Sequence, residues 1–198
     1  MARTAGLLLA AGAGRRFGGP KALAVLPDGT GFLVHAVRAL REGGCAPVVV
    51  VLGSAAEQAR LLVTDADAEV VVNGDWATGM GSSLRQGLTA LPTDVDAAVV
   101  LLVDTPGIGP AAVARLATYA DPEAIAVATY AGRRGHPVLL GRRHWPEVCQ
   151  LAVGDTGARP FLRAHGSAVV EVPCDDVADP TDIDTAGDLP PGRLSTGP

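Results

Sequence analysis

The stretch around which the chain is organised is residues 7–23, LLLAAGAGRRFGGPKAL. An apolar run typical of a buried strand opens into a glycine-rich loop with three basic side chains, Arg15, Arg16 and Lys21. Backbone N–H groups can approach phosphates only where no Cβ intervenes, and Arg and Lys then neutralise the phosphate charge. The stretch therefore predicts a loop that binds a phosphate-bearing ligand at the end of a strand.

Two familiar phosphate-binding motifs do not describe this loop. A P-loop requires Gly, four residues and then Gly-Lys-Ser/Thr, whereas here Pro20 separates Gly19 from Lys21 and Ala22 follows. The dinucleotide fingerprint Gly-x-Gly-x-x-Gly is missed by one residue in the spacing of the glycines. Two readings stay open: a third kind of phosphate loop, or an ordinary Gly-rich turn whose basic residues are solvated.

Composition limits the class of protein. The 198 residues suffice for one domain with a substantial core, and 48% hydrophobic but only 4% aromatic residues predict a core of Ala, Val and Leu. A net charge of −5 argues against a general nucleic-acid or membrane-surface binder. The three cysteines, Cys45, Cys149 and Cys174, form no CxxC pair, and we find neither a signal-peptide pattern nor a membrane-span-length run. We therefore expect a cytoplasmic protein.

Apolar runs alternate with helical patterns along the chain. This alternation predicts an α/β fold: a Rossmann-like, doubly wound, mostly parallel sheet of about seven strands with helices on both faces. Ser54 looks like the N-cap of a helix that runs to Leu62. Residues 132–172 break the alternation, which predicts a small antiparallel edge and lid. We expect one domain over residues 1–189 and a disordered tail over residues 190–198.

Several polar residues follow predicted strands. Asp104 comes directly after the most hydrophobic strand, where ligands of open α/β sheets bind, so it is either a metal ligand or a turn-starting residue before Pro106. Asp182 and Asp184 belong to an acidic segment that could complete a divalent metal site or form a solvated turn. His136 is either a general acid or base, or a structural residue.

The loop NGDWATGMGSS, residues 73–83, leads into a helical pattern. A Gly-Ser-Ser step at a helix start leaves backbone N–H and hydroxyl groups free for a ligand. The alternative is a capped helix with no ligand.

Six segments, taken in order, resemble the nucleotidyltransferases that make molybdopterin dinucleotide cofactors, within the larger nucleotide-diphospho-sugar transferase group. The segments are residues 9–12 with Arg16 and Lys21, then residues 79–84, 104–106, 135–138, 154–159 and 182–185. The Ala-Ala-Gly form of the loop, with Ala11, is similar to the cytidylyl-transferring branch of this MobA-like family. Thr105 and the pair Ala186-Gly187 depart from the family's usual residues.

The resemblance implies a Mg²⁺-dependent enzyme, with Mn²⁺ as a substitute, that transfers CMP from CTP to molybdopterin or Mo-molybdopterin and releases pyrophosphate. It also implies a recipient molybdoenzyme or its insertion chaperone as a partner, and no nucleic acid or membrane. Alternatives are a transferase that acts on a sugar phosphate or another small phosphorylated metabolite, a GTP-using guanylyltransferase, and a molybdopterin-binding chaperone without transfer activity.

The resemblance assigns roles to particular residues. The catalytic residues are Arg16, Lys21 and Asp104, and the metal ligands are Asp104 with Asp184, which is favoured, or Asp182. The nucleotide-binding residues are Leu9, Ala10, Ala11, Gly12, Arg15, Gly79, Gly81, Ser82 and Ser83. The residues expected to bind the acceptor are His136, Asp155 and Arg159.

Overall fold

The computed structural model describes residues 2–64 and 66–189. Seven strands form one sheet, and their bounds are β1 Thr4–Ala10, β2 Val48–Leu52, β3 Glu69–Val72, β4 Ala97–Leu102, β5 Ile125–Tyr130, β6 Arg133–Gly141 and β7 Val170–Pro173. The α-helices are α1 Phe32–Glu42, α2 Ala56–Leu61, α3 Met80–Ala90, α4 Pro110–Ala117, α5 Trp145–Leu151 and α6 Arg159–Ala164.

The sheet has the strand order β3-β2-β1-β4-β6-β5-β7. Strand β1 pairs in parallel with β2 on one side and with β4 on the other, so that Leu8 lies opposite Val50 and Leu101. Every residue of β1 and β2 is buried, as expected for central strands of a parallel sheet covered on both faces. The carboxyl ends of β1 and β4 therefore lie side by side.

Alternate side chains of each strand enter two separate cores. Leu8 and Ala10 of β1 pack with α1, α2 and α4 on one face. Leu7 and Leu9 pack with α3, α5 and α6 on the other face. Aliphatic residues dominate both cores, as the composition predicts, and helices cover both faces, which confirms the predicted fold class. No helix among residues 2–64 and 66–189 is both long enough and apolar enough to cross a bilayer.

The antiparallel part of the sheet is internal, which corrects the expectation of an antiparallel edge. Strand β6 runs antiparallel to both of its neighbours, β4 and β5, while the edge strand β7 is parallel to β5. The β5–β6 hairpin turns at Ala131 and Gly132, both with positive φ. Because Val138, Leu139 and Leu140 are buried, the second half of β6 belongs inside the sheet rather than at its rim.

One local expectation is also corrected, and one helix was missed. Helix α2 begins at Ala56, and its cap residue, Ala55, makes no side-chain bond. The hydroxyl of Ser54 instead donates to the carbonyl of Gly12 (3.1 Å), so Ser54 ties α2 to the glycine loop and is not an N-cap. Helix α5 was not predicted, because it is short and carries a proline in its first turn. The predicted tail, residues 190–198, lies outside the described residues.

Candidate active site

The loop after β1 folds back on itself and places Lys21 beside the carboxyl ends of β1 and β4. The N–H groups of Gly18 and Gly19 both donate to the carbonyl of Gly14 (3.0 and 3.2 Å). Gly14 has φ +58°, and a Cβ on it would lie 1.9 Å from the carbonyl oxygen of Gly19. Glycine is therefore required at this position for the loop to close. A short 3₁₀ turn, Lys21–Leu23, follows directly.

A first cavity of about 360 Å³ lies between this loop, the end of β4 and the start of α3. It contains most of the residues that the sequence assigned to the nucleotide and its phosphates. Those that line it are Leu9, Ala10, Ala11, Gly12, Arg15, Lys21, Gly79, Ser83 and Asp104. The structure thus gathers side chains from the chain's first quarter and its middle around one space.

Two predicted nucleotide-binding residues lie behind the cavity wall. The Ser82 side chain is buried; its hydroxyl donates to the carbonyl of Gly79 (2.8 Å) and accepts from the Asn73 side chain (2.8 Å). The expectation that this hydroxyl is free for a ligand is therefore wrong. Gly81 lies against the end of α5, close to Ala152. A Cβ on Gly81 would come within 2.4 Å of the Ala152 carbonyl oxygen.

Four charged side chains converge where β1 and β4 end. The Lys21 ammonium lies 2.9 Å from Asp104 Oδ2 and 3.2 Å from Asp184 Oδ1. Arg16 reaches the other oxygen of Asp184, with 2.9 Å between Nη1 and Oδ2. The segment that carries Asp184 is held here because the N–H of Ile183 donates to the Asp104 carbonyl (2.9 Å). Ion pairs thus link the three predicted catalytic residues, Arg16, Lys21 and Asp104, to the predicted metal ligand Asp184.

Asp182 and Asp184 lie on either side of the buried Ile183, and Asp182 borders a second cavity. Burial raises the pKa of Asp182 above its ordinary value, and the neighbouring carboxylates of Asp104 and Asp184 raise it further. The negative charges of Asp104 and Asp184 therefore add to the effect of burial in disfavouring the ionised form of Asp182.

The carboxylates fit a divalent metal ion by their chemistry. Asp104 Oδ1 is buried and has no hydrogen-bond partner among the described residues, so the structure holds an unsatisfied hard oxygen of the kind that Mg²⁺ and Mn²⁺ prefer. Within residues 2–64 and 66–189, no three His, Cys, Asp or Glu side chains are grouped to hold an ion. An ion bound to Asp104 and Asp184 would therefore need further ligands from water or phosphate.

The second cavity, of about 1070 Å³, adjoins the first. Asp104 borders the first cavity, Thr105 borders the second, and Met80 borders both. The second cavity is lined mainly by the β5–β6 hairpin, α6 and the segment before Asp184. Its charged residues include Arg133, Arg134, Arg159, Arg163 and Asp182.

His136 and Arg159, the predicted acceptor-binding residues, both line the second cavity. The pKa of His136 is lowered to about 4, mainly by burial; the negative charge of Asp104 opposes this shift and the positive charge of Arg159 adds to it. The imidazole is therefore neutral near pH 7. Asp155 differs from the expectation: it lines the first cavity, and its carboxylate accepts a hydrogen bond from the Met80 N–H (3.2 Å).

Trp76 is a cavity residue that the sequence reading did not single out. It lines the first cavity beside the Ala11 loop, and it fits there because Gly53 has no side chain. A Cβ on Gly53 would come within 2.6 Å of the Trp76 Cβ. One feature of the sequence could have indicated a role for Trp76: it is one of only two tryptophans, and it lies in a glycine-rich loop.

The fold and the site together define a nucleotidyltransferase of the nucleotide-diphospho-sugar transferase type. A mostly parallel sheet carries a glycine-rich loop, basic side chains and acidic side chains at the carboxyl ends of adjacent strands, where ligands of such sheets bind. The chain belongs to the family of the MobA-like NTP transferase domain, whose model matches residues 6–169. The resemblance to the MobA-like family is therefore confirmed.

Individual proteins are also similar to this chain in sequence or in structure. The nicotine blue oxidoreductase of Paenarthrobacter nicotinovorans is 40% identical over 189 residues, 91% of each chain. The 2-C-methyl-D-erythritol 4-phosphate cytidylyltransferase of Streptomyces avermitilis is 41% identical over 108 residues, 50% of this chain and 42% of that one. The crystal structure of Rv0371c from Mycobacterium tuberculosis H37Rv in complex with manganese is similar to this chain with a TM-score of 0.77 and 29% identity, and the match covers 94% of this chain and 96% of that one.

Proposed function

We propose that this protein is a cytoplasmic, Mg²⁺-dependent cytidylyltransferase that transfers CMP from CTP to the terminal phosphate of molybdopterin or Mo-molybdopterin and releases pyrophosphate. The observation that carries the proposal is the meeting of two cavities at Asp104 and Thr105. A nucleotide in the first cavity and a phosphorylated acceptor in the second would approach each other at that point, beside Lys21 and Asp184.

The first cavity suits the nucleotide. Backbone atoms of residues 9–12 and the side chain of Trp76 would contact the base, while Arg15, Arg16 and Lys21 would neutralise the phosphates. The choice of cytosine rests on Ala11, through the resemblance to the cytidylyl-transferring branch. The Streptomyces relative, named as a cytidylyltransferase, supports the same base over the part of the chain that it matches.

The reaction requires positioning and charge neutralisation rather than proton abstraction. A phosphomonoester has a second pKa of about 6, so its oxygen is already ionised near neutral pH. Asp104 and Asp184 would hold Mg²⁺ or Mn²⁺, and the bound ion supplies Lewis-acid neutralisation of phosphate charge. Lys21 and Arg16 would stabilise the negative charge that develops on the leaving pyrophosphate. The manganese complex of Rv0371c makes Mn²⁺ a suitable probe ion.

The second cavity suits a large anionic acceptor. Its volume of about 1070 Å³ is at the upper end of the usual range for small-molecule pockets, which reaches roughly 1,000 Å³. Arg159 would pair with the acceptor's phosphate, and the neutral His136 would accept or donate a hydrogen bond at the pterin. A recipient molybdoenzyme or its insertion chaperone would then take up the product.

A second candidate comes from the nicotine blue oxidoreductase relative, which is 40% identical over 91% of the chain. The corresponding proposal is an oxidoreductase that acts on a pigment of that kind. It predicts that the protein changes the absorbance of nicotine blue when a redox partner is supplied and releases no pyrophosphate from any nucleoside triphosphate.

The deciding experiment is pyrophosphate release from each of CTP, GTP, ATP and UTP, with Mg²⁺ and molybdopterin as the acceptor. We expect release with CTP, dependent on the acceptor. Release with GTP alone would indicate a guanylyltransferase, and release with a sugar phosphate in place of molybdopterin would indicate the metabolite-activating alternative. Tight molybdopterin binding with no pyrophosphate from any triphosphate would indicate a chaperone.

The same assay tests the role of Asp104. Replacing it with Ala removes a carboxylate that would hold the metal, and we expect at least about a hundredfold loss of pyrophosphate release, comparable to the loss of one transition-state contact. Circular dichroism and the unfolding midpoint establish whether the variant is folded. A folded Asp104→Ala variant with unchanged turnover would contradict the assignment.

A further inference from the structure

Lys21 lies where a bridging cation would lie. It is the single lysine among the 16 Lys and Arg residues of the chain, and its side chain is only 12% exposed. Its ammonium contacts one oxygen of Asp104 (2.9 Å) and one oxygen of Asp184 (3.2 Å). A lysine ammonium is a compact charge on a flexible four-carbon stem, whereas a guanidinium is a wide planar fork. A lysine is therefore suited to bridge two carboxylates with its ammonium group and also to move that group away from them.

The bridge leaves Asp104 incompletely satisfied. Its other oxygen, Oδ1, is buried and has no hydrogen-bond partner in the part of the chain that the structure describes. Within residues 2–64 and 66–189, Arg16 pairs only with Asp184 (2.9 Å), and its side chain is 78% exposed. A divalent cation held by both carboxylates would lie within a few ångströms of the Lys21 ammonium, where like charges repel strongly at low effective dielectric.

We propose that Lys21 is an internal counter-cation that holds the Asp104–Asp184 pair in the nucleotide-free protein and leaves it for the triphosphate when the nucleotide binds. Divalent metal and nucleotide then bind interdependently, because the nucleotide's phosphates draw away the ammonium that competes with the metal. This inference rests on the proposed function, since the anion that attracts Lys21 is the nucleotide. The movement is short because Lys21 already lines the first cavity.

Metal binding by itself tests the proposal. Free Mn²⁺ is measured by electron paramagnetic resonance in titrations of the full chain, with and without a CTP analogue that has a methylene bridge between its α- and β-phosphates. In the absence of nucleotide, we expect Lys21→Met to bind Mn²⁺ at least about tenfold more tightly than wild type, in the range of ordinary coupling energies. The analogue should tighten Mn²⁺ binding less in Lys21→Met than in wild type.

Arg143→Met is the matched control. Arg143 pairs with Glu123 (3.0 Å) and belongs neither to the cluster nor to the residues that line the two cavities. Its replacement removes a cation from a carboxylate and should leave Mn²⁺ affinity at the wild-type value. Nucleotide-free Mn²⁺ binding by Lys21→Met that equals or falls below the wild-type affinity overturns the proposal.

A measurement on the wild-type side chain covers the case in which Lys21→Met does not fold. Reductive methylation with ¹³C-formaldehyde labels one side chain, Lys21, besides the amino terminus, because the chain has no other lysine. We expect the dimethyl-Lys21 resonance to shift when the CTP analogue and Mg²⁺ are added together. A resonance that does not move under saturating ligand overturns the proposal.

Failure of this inference and failure of the proposed function give different results. Pyrophosphate release from CTP by wild type, together with unchanged Mn²⁺ affinity of Lys21→Met, overturns the counter-cation role alone. Tighter Mn²⁺ binding by Lys21→Met, in a protein that releases no pyrophosphate from any triphosphate, overturns the proposed function and supports the counter-cation role.

Discussion

At the scale of single residues, Trp76 offers a direct test of the nucleotide cavity. Trp76 lines that cavity, whereas Trp145 is buried with its indole N–H bonded to the carbonyl of Leu140 (2.9 Å). A base stacked on Trp76 should quench the intrinsic fluorescence when CTP is added. Trp76→Leu should abolish the quench and weaken CTP binding by about 1–3 kcal/mol, the usual effect of losing one base–aromatic contact.

Trp145→Phe is the control for this prediction and should retain the CTP-dependent quench. An unchanged CTP dissociation constant in Trp76→Leu would show that the base does not contact this side chain.

The lowered pKa of His136 predicts a stability that depends on pH. In the unfolded chain the imidazole takes up a proton near pH 6.5, but in the folded protein it does so only near pH 4, because burial disfavours the charged form. The folded-state pKa is depressed, so this contribution to stability is fully present above pH 6.5 and is lost as the pH falls from 6.5 to 4. The full shift corresponds to about 3 kcal/mol, and since the residue keeps partial exposure we expect roughly 1–2 kcal/mol.

Urea unfolding between pH 7.5 and pH 4 measures this dependence. His136→Gln should lose less stability over that interval than wild type does, because the variant has no imidazole to protonate at this position. Parallel pH profiles for the two proteins would assign the dependence to other groups.

The sequence pointed to the residues that form the charged cluster, but not to the contacts that Ser82 and Asp155 make. Asp104 follows from a rule about where the carboxyl ends of parallel strands meet, Lys21 follows from the glycine-rich loop, and Asp184 follows from the family resemblance. Asp155 could not be assigned in this way, because its bond to the Met80 N–H joins residues 75 positions apart. Ser82 likewise looked available in the sequence, and only its folded contacts show that its hydroxyl is already used.

At the scale of elements, periodicity predicted most strands and helices but not the order of the last three strands. A local pattern indicates that residues 133–141 form a strand, yet it carries no information about which strands lie on either side. The insertion of β6 between β4 and β5 depends on pairings across the sheet. It brings His136 towards the end of β4, which is why the second cavity adjoins the first.

The close approach of α3 to α5 gives a prediction at this scale. Gly81 lies in the first turn of α3, and a Cβ on it would come within 2.4 Å of the Ala152 carbonyl oxygen. Gly→Ala inside a helix ordinarily stabilises it by about 0.5–1 kcal/mol. Here we expect the opposite sign, a loss of about 1–3 kcal/mol, because backbone must move to admit the methyl group.

Chemical denaturation measures the difference, with Gly74→Ala as the matched control. A Cβ on Gly74 meets no atom within 4 Å, so that variant should stay within about 0.5 kcal/mol of wild type. A Gly81→Ala protein as stable as wild type would mean that α3 and α5 can separate without cost.

At the scale of the whole molecule, two cavities that share a boundary lie at the carboxyl ends of the parallel strands. Strand β4 ends between them, with Asp104 towards the first and Thr105 towards the second. The chain thus separates the site proposed for the nucleotide from the site proposed for the acceptor without a second domain. A phosphate of the acceptor can then reach the nucleotide's α-phosphorus while both ligands are bound.

This arrangement predicts a sequential mechanism with direct transfer. Initial rates measured against CTP at several acceptor concentrations should give intersecting double-reciprocal lines, because both ligands must be bound before the phosphorus–oxygen bond forms. Labelled pyrophosphate should exchange into CTP only when the acceptor is present. Parallel lines, together with exchange in the absence of acceptor, would instead indicate a covalent nucleotidyl-enzyme. The two cavities would then be filled in turn, and a side chain at their boundary would have to act as the nucleophile.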